Sequence, residues 1–211
     1  HRFKQTRTKL VIKAIDRFVV DEKLALTIHY SGTPGPAMGT WGDVGWEELT
    51  EGALVASQPN GAASWFPCDD HPSSKASYRI SITTDSPYYA LANGVLESKR
   101  VRAAQTTWVY EQIEPMSTYL ASIQIGPYEH IRLASKPVPV EAILPSRLRQ
   151  NFRVDFGRQL EMVDAFAEMF GPYPFAKYTV VVTDDSLEIP IEAQSFSTFS
   201  EKIAILLIDY F

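Results

Sequence analysis

Apolar and polar residues alternate in several short stretches of the chain. Over residues 23–30, Leu24, Leu26, Ile28 and Tyr30 share one side while Lys23, Thr27 and His29 take the other. Successive side chains of a strand point to opposite faces, so this period of two predicts a half-buried strand. Residues 78–83 repeat it with Tyr78, Ile80 and Ile82, and residues 119–125 with Tyr119, Ala121, Ile123 and Ile125; residues 9–14 are a weaker case. Ser31-Gly32 and Asn93-Gly94 supply turns, the second being a favoured two-residue hairpin connection. Residues 33–52 carry five glycines, from Gly35 to Gly52, with Pro34, Pro36, Trp41 and Trp46, and read as a long loop without a strand. The expected architecture of residues 1–140 is an antiparallel β-sandwich or saddle.

The period then changes. Phe156, Leu160, Val163, Ala167 and Phe170 recur at helical intervals, which predicts an amphipathic helix over residues 155–170, closed by Gly171-Pro172. A β-branched strand is expected over residues 178–182 and another between Pro190 and Phe199. The chain as a whole is therefore mostly β, with a second domain expected to begin near residue 141, after Pro137 and Pro139. Residues 141–211 offer too few strands to cover both faces of a sheet, so that domain is expected to be incomplete.

Composition narrows the function classes. Hydrophobic residues make up 45% and charged residues 21% of the 211, an ordinary globular mix that can bury a core. The net charge of −5 and the absence of a Lys/Arg run exclude a nucleic-acid surface, so a peptide or small molecule is the expected partner. Cys68 is the one cysteine, which excludes an internal disulfide and makes the cytoplasm the expected compartment, with secretion left open. The longest apolar run, from Ile203 to Ile208, is far short of the roughly 20 residues of a membrane span. Apolar and uncharged, it is expected to seek a partner edge, so self-association is expected.

Direct searches for chemistry return mostly negatives. The four histidines, His1, His29, His71 and His130, include no pair at the spacing that places two imidazoles on one helix face, so no metal is expected in this chain. No G-x-S-x-G elbow or phosphate-cradling glycine loop occurs. Cys68 has no basic neighbour to activate it and reads as a small buried filler. The segment Pro67-Cys68-Asp69-Asp70-His71-Pro72 places two adjacent carboxylates where hydrogen bonds or cations must offset their repulsion, and a rigid loop with Asp70 accepting backbone N–H bonds satisfies that need. Glu192 is a carboxylate between Ile191 and Ala193. Pro190 before it limits ladder pairing, which points to an edge strand whose backbone is open to a ligand.

Motifs in sequence order then bring in a family. Pro67-Cys68-Asp69-Asp70-His71-Pro72-Ser73-Ser74-Lys75-Ala76-Ser77-Tyr78 resembles the P-C-x-D-x-P-x-x-K-A-[ST]-[FY] block of the aminopeptidase N and leukotriene hydrolase family of zinc metallopeptidases. Ala92-Asn93-Gly94 resembles its S-N-G hairpin, and Met116-Ser117-Thr118-Tyr119-Leu120-Ala121 its later M-x-x-Y-L-x-A strand. Phe170-Gly171-Pro172-Tyr173-Pro174-Phe175 resembles the F-G-x-Y-P-[FY] that opens the catalytic domain. The resemblance implies a β-sandwich amino-terminal domain over residues 1–140, missing its first strands. Residues 141–211 would then be the start of a thermolysin-like α/β catalytic domain, ending before the H-E-x-x-H zinc motif.

The resemblance also implies roles. The family's G-x-M-E-N loop matches Ile189-Pro190-Ile191-Glu192-Ala193, where the glutamate is kept and the glycine and asparagine are not; Ile191-Glu192-Ala193-Gln194 is nearer the A-L-E-T-Q of some bacterial members. Glu192 would bind the substrate's free amino group, flanked by Ile191 and Ala193, and Gln58 falls at the family's second amine-contacting position. The intact parent would be a zinc-dependent aminopeptidase acting on peptides, with this chain inactive alone and holding no zinc. The alternative is a non-catalytic β-sandwich that binds peptides. A reading frame continuing past Phe211 into H-E-x-x-H would separate the two.

Overall fold

The computed structural model describes residues 2–6, 8–13, 19, 21–40 and 42–201. The run from Ile203 to Ile208 lies outside the described residues, as does Trp41. The chain divides into two compact units, residues 1–34 and 35–211.

In the first unit β1 (Arg2–Gln5) and β2 (Leu10–Lys13) form an antiparallel hairpin. Its turn is closed by Thr6, whose hydroxyl accepts the Lys9 N–H at 3.0 Å. β2 is the expected strand of residues 9–14. The strand expected over residues 23–30 is not formed, and Leu24, Leu26, Ile28 and Tyr30 are exposed. Alternation specifies which side chains could share a buried face, but a strand also needs a neighbour to complete its ladder.

The second unit holds three sheets. β3 (Ala37–Gly39), β4 (Gly42–Leu49) and β5 (Gly52–Ala56) open the first, in a stretch expected to be free of strands. The glycines there make close approaches possible within the strands. At Gly45, φ is +99° and an added Cβ would lie 2.1 Å from Ser64 Oγ, so only glycine lets β4 lie against the 3-10 turn Ala62–Ser64. The chain continues as β6 (Lys75–Asp85), β7 (Tyr89–Ala92), β8 (Val95–Arg102), β9 (Gln105–Ser117) and β10 (Ile123–Gly126). The first sheet runs β3-β4-β5-β10-β7 and the second β6-β9-β8, both antiparallel.

Two expectations change here. Asn93-Gly94 does not join a hairpin, because β7 pairs with β10 and β8 with β9; the dipeptide carries the chain from one sheet to the next. Residues 119–125 are strand only from Ile123, with a 3-10 turn over Thr118–Leu120. Residues 78–83 are strand within β6, with Tyr78, Ile80 and Ile82 on its less exposed face.

The third sheet is mixed. β11 (Tyr128–Ala134) is antiparallel to β12 (Val140–Pro145), which runs parallel to β13 (Tyr178–Thr183); β13 runs parallel to β15 (Phe196–Ser200), and β14 (Ile191–Ala193) is antiparallel to β15 at the edge. Parallel neighbours need a long crossover, and α1 (Arg149–Asp155) and α2 (Gln159–Phe170) supply it. The helix expected over residues 155–170 is α2, which starts four residues later at Gln159: Asp155 ends the separate α1, and the chain bends at Phe156–Arg158, where a Cβ on Gly157 would lie 2.5 Å from the Arg153 carbonyl. Gly171 ends α2 at φ +96°, its N–H donating to Ala167 O at 3.0 Å.

This sheet is buried on both sides, which explains its continuous apolar runs. Ala142, Leu144, Val180 and Val182 pack with Leu148, Phe152 and Phe156 of the helical layer. Their sequence neighbours Ile143 and Val181, with Phe196, pack on the other side against Val55, Leu91, Trp108, Tyr110 and Ile123. Each fully buried valine contributes about 1.5–3 kcal/mol. Residue 141, the expected start of a second domain, lies inside β12. The described fold is mostly β with open sheets, as expected.

Candidate functional site

β14 is an edge strand. Its ladder to β15 pairs Ile191 with Thr198, Glu192 with Ser197 and Ala193 with Phe196, and its other side meets no strand among the described residues. Glu192 is exposed between two half-buried neighbours, Ile191 and Ala193. Gln58 reaches this edge from the turn after β5, its Nε2 donating to the Glu192 carbonyl at 3.0 Å. Two residues 134 positions apart, singled out in the sequence for one role, are therefore in direct hydrogen-bond contact. Beside that bond the Gln58 carboxamide keeps a second N–H and its oxygen, an acceptor, at this edge.

Further residues hold this edge in place. Asn93 is fully buried, and its Nδ2 donates to Gln194 O at 2.8 Å and to Leu120 O at 3.0 Å. Its Oδ1 accepts the Ser122 N–H at 2.7 Å. Gln194 and Ser195 form the turn between β14 and β15, with Ser195 at φ +77°, so Asn93 fixes the strand that carries Glu192. In the sequence Asn93 is a turn signal and part of the S-N-G resemblance, neither of which gives a sign of a partner 101 residues away. Tyr178, at the start of β13, was also missed. Its hydroxyl donates to Ser197 Oγ at 3.2 Å. Burial pushes the Tyr178 phenol up, the Ser197 bond opposes that, and the Glu192 charge adds to it.

The Pro67–Pro72 segment does structural work. Asp70 accepts the Ala63 N–H and the Thr118 hydroxyl, both at 3.2 Å, and Asp69 accepts the Ser74 hydroxyl at 2.6 Å. Burial, with Asp70 and Asp69 nearby, pushes the Cys68 thiol up to about 12, leaving it a poor nucleophile at neutral pH. His71 Nδ1 is 2.7 Å from Ser73 Oγ, and His130 Nε2 is 3.3 Å from Glu141 Oε2. Among the described residues no group of three or more His, Cys, Asp or Glu side chains could hold a metal ion. These residues do not fit a catalytic zinc, which needs three protein ligands converging on one point. No helix among them is long and apolar enough to cross a membrane.

Residues 1–120 match the family model of the peptidase M1 N-terminal domain. The chain belongs to the M1 peptidase family. Curated relatives include the Tricorn protease-interacting factor F2 of Thermoplasma acidophilum, 27% identical over 62% of this chain and 17% of the relative. The leucyl aminopeptidase of Saccharolobus solfataricus is 24% identical over 72% of this chain and 20% of its own length, and human glutamyl aminopeptidase 32% identical over 54% and 13%. The chain thus spans about a fifth or less of the length of these M1 relatives. A crystal structure of the M1 zinc metallopeptidase from Deinococcus radiodurans superposes with a TM-score of 0.71 at 26% identity, covering 80% of this chain and 40% of that one. A mutant of the same enzyme with a bound Tyr-Ser-Ala substrate matches at a TM-score of 0.71 and 25% identity, with the same coverage. The mostly β fold is that of the amino-terminal β-sandwich of these M1 peptidases, and zinc dependence is a property of the family's full-length members.

Proposed function

We propose that this chain is the amino-terminal portion of a zinc-dependent aminopeptidase and contributes the cradle that grips the free amino terminus of a peptide substrate. The observation that carries the reading is the contact of Gln58 with Glu192 on an edge strand. A free α-amino group has a pKa of about 7.7–8.0 and is largely protonated at neutral pH, so a carboxylate with a neighbouring amide oxygen distinguishes it from an internal amide. The open side of β14, with Ile191 and Ala193 on either side of Glu192, offers backbone groups to an extended peptide. Residues 141–211 are read as the start of the catalytic domain; the parallel crossover through α1 and α2, unlike anything before it among the described residues, supports that reading. The single cysteine supports a cytoplasmic location.

In the whole enzyme, Glu192→Ala lowers kcat/KM for substrates with a free amine and leaves N-acetylated substrates unchanged. Glu192 is exposed in this chain, where an ion pair contributes about 1 kcal/mol or less. A bound peptide that excludes water raises this to about 3 kcal/mol, roughly a hundredfold in rate. Equal losses for free and blocked substrates would move Glu192 from amine recognition to folding or chemistry. The apolar run from Ile203 to Ile208 supports one further reading on sequence alone, that chains self-associate through it. A strictly monomeric species in light scattering at high concentration would overturn that.

A further inference from the structure

β8 begins at Val95 opposite Glu111, so β9 runs on through Gln112, Ile113 and Glu114 with β6 on one side and, among the described residues, no strand on the other. Phe175, Ala176 and Lys177 before β13 and Ser195 before β15 border the gap, which is a cleft of about 330 Å³. Its apolar walls come from Val95, Ile113 and Phe175, and Glu97, Glu111 and Glu114 add three carboxylates. Lys177, the lysine of the lining, is already engaged. It is buried, with its Nζ 3.5 Å from Glu141 Oε2 and 5.7 Å from the centre of the Tyr110 ring. Glu97 pairs with Arg79. Gln112 is buried and its Nε2 donates to Glu114 Oε2 at 2.7 Å, which fixes that carboxylate at the wall. Glu111 is exposed and makes no ion pair among the described residues.

We propose that this cleft binds the side chain of an arginine within a peptide, at a second site separate from Glu192. The volume lies near the lower end of the roughly 300–1,000 Å³ of ligand pockets, enough for one long side chain with part of a neighbour. An aliphatic stem packs on Val95, Ile113 and Phe175, and a planar guanidinium offers a fork of donors to Glu111 and Glu114. Anions are disfavoured, because the lining's carboxylates outnumber its one lysine and that lysine already faces Glu141. The peptide's own amino terminus plays no part, so the inference stands apart from the amine-binding reading.

The test uses the 211-residue chain and a peptide blocked at both ends, acetyl-Gly-Leu-Arg-Phe-amide, followed by titration calorimetry, with norleucine replacing arginine in a control peptide. The arginine peptide binds about tenfold or more tighter than the norleucine one, and added salt weakens it. Glu111→Gln weakens it several-fold. Ile113→Arg, at an exposed position that leaves the fold intact, abolishes binding by placing a cation in the cleft. Glu192→Ala leaves this binding unchanged. Equal affinities for the two peptides, no detectable binding at millimolar concentration, or indifference to both cleft variants would overturn the proposal. Loss of blocked-peptide binding in Glu192→Ala would overturn it as well, by moving the site to the edge strand. Failure of free-amine discrimination at Glu192 with arginine binding intact would remove the amine-binding reading and support this one.

Discussion

Asn93→Ala removes a side chain that is 0% exposed and bonded at both ends. Alanine leaves the Ser122 N–H and the Leu120 and Gln194 carbonyls without the partners that lie 2.7, 3.0 and 2.8 Å away. An orphaned buried polar group costs about 1–3 kcal/mol. The N–H has nothing else to offer, whereas a carbonyl keeps a second lone pair, so the three together come to about 3–5 kcal/mol, with incomplete additivity among neighbours. Against a total stability of about 5–15 kcal/mol this is a large fraction, read as a lower urea midpoint with unchanged slope. Asn93→Asp separates donors from acceptor. It keeps an acceptor for Ser122 but loses both donors and buries a carboxylate, whose pKa rises. The aspartate variant is therefore least stable above that raised pKa, and it recovers as acid protonates the group and restores one donor. A loss below about 1 kcal/mol for Asn93→Ala, or an aspartate variant as stable as the parent at neutral pH, would refute the view that Asn93 ties the β14–β15 turn to the sandwich.

Acid should cost stability through Glu141, whose pKa is held down at about 2 by the His130 bond first and then by Lys177 and Arg132, against a burial that opposes them. Because the folded value is depressed, the contribution is present above about pH 4.5 and is lost as pH falls towards 2; with solvent screening it is on the order of 1–2 kcal/mol, and denaturation at stepped pH should show Glu141→Gln with a flatter acid limb. Cys68, raised from 9.0 to about 12, should react with a thiol reagent at pH 8 on the order of a thousandfold more slowly than a free cysteine and at an ordinary rate once unfolded. Ordinary reactivity in the folded chain would contradict that environment.

Local patterns were legible where one neighbour decides the outcome. β6 and its less exposed face followed from Tyr78, Ile80 and Ile82, and the end of α2 from Gly171. The edge position of β14 followed from Pro190, because a missing N–H limits pairing whatever the surroundings. Reading failed where a distant partner decides. The alternation of Leu24, Leu26 and Ile28 could not supply the neighbour a ladder requires, and the glycines of residues 33–52 concealed β4, where Gly45 serves a close contact with Ser64 and Gly61. The same limit applied to the site. Motifs named Gln58 and Glu192, but the buried carboxamide of Asn93 and the hydroxyl of Tyr178, which build the edge around them, are visible only once three sheets meet.

The central claim is that Glu192 and Gln58 together recognise a free amino terminus, and an NMR titration of this chain with leucinamide and with N-acetyl-leucinamide tests it most directly. Binding at an exposed ion pair is weak, in the millimolar range, but it needs only to be local. The account predicts that leucinamide shifts the Gln58 side-chain amide and the backbone signals of Glu192 and Ala193, that Glu192→Ala abolishes those shifts, and that the acetylated compound leaves them in place. Equal shifts from both compounds, or shifts confined to other residues, would contradict it.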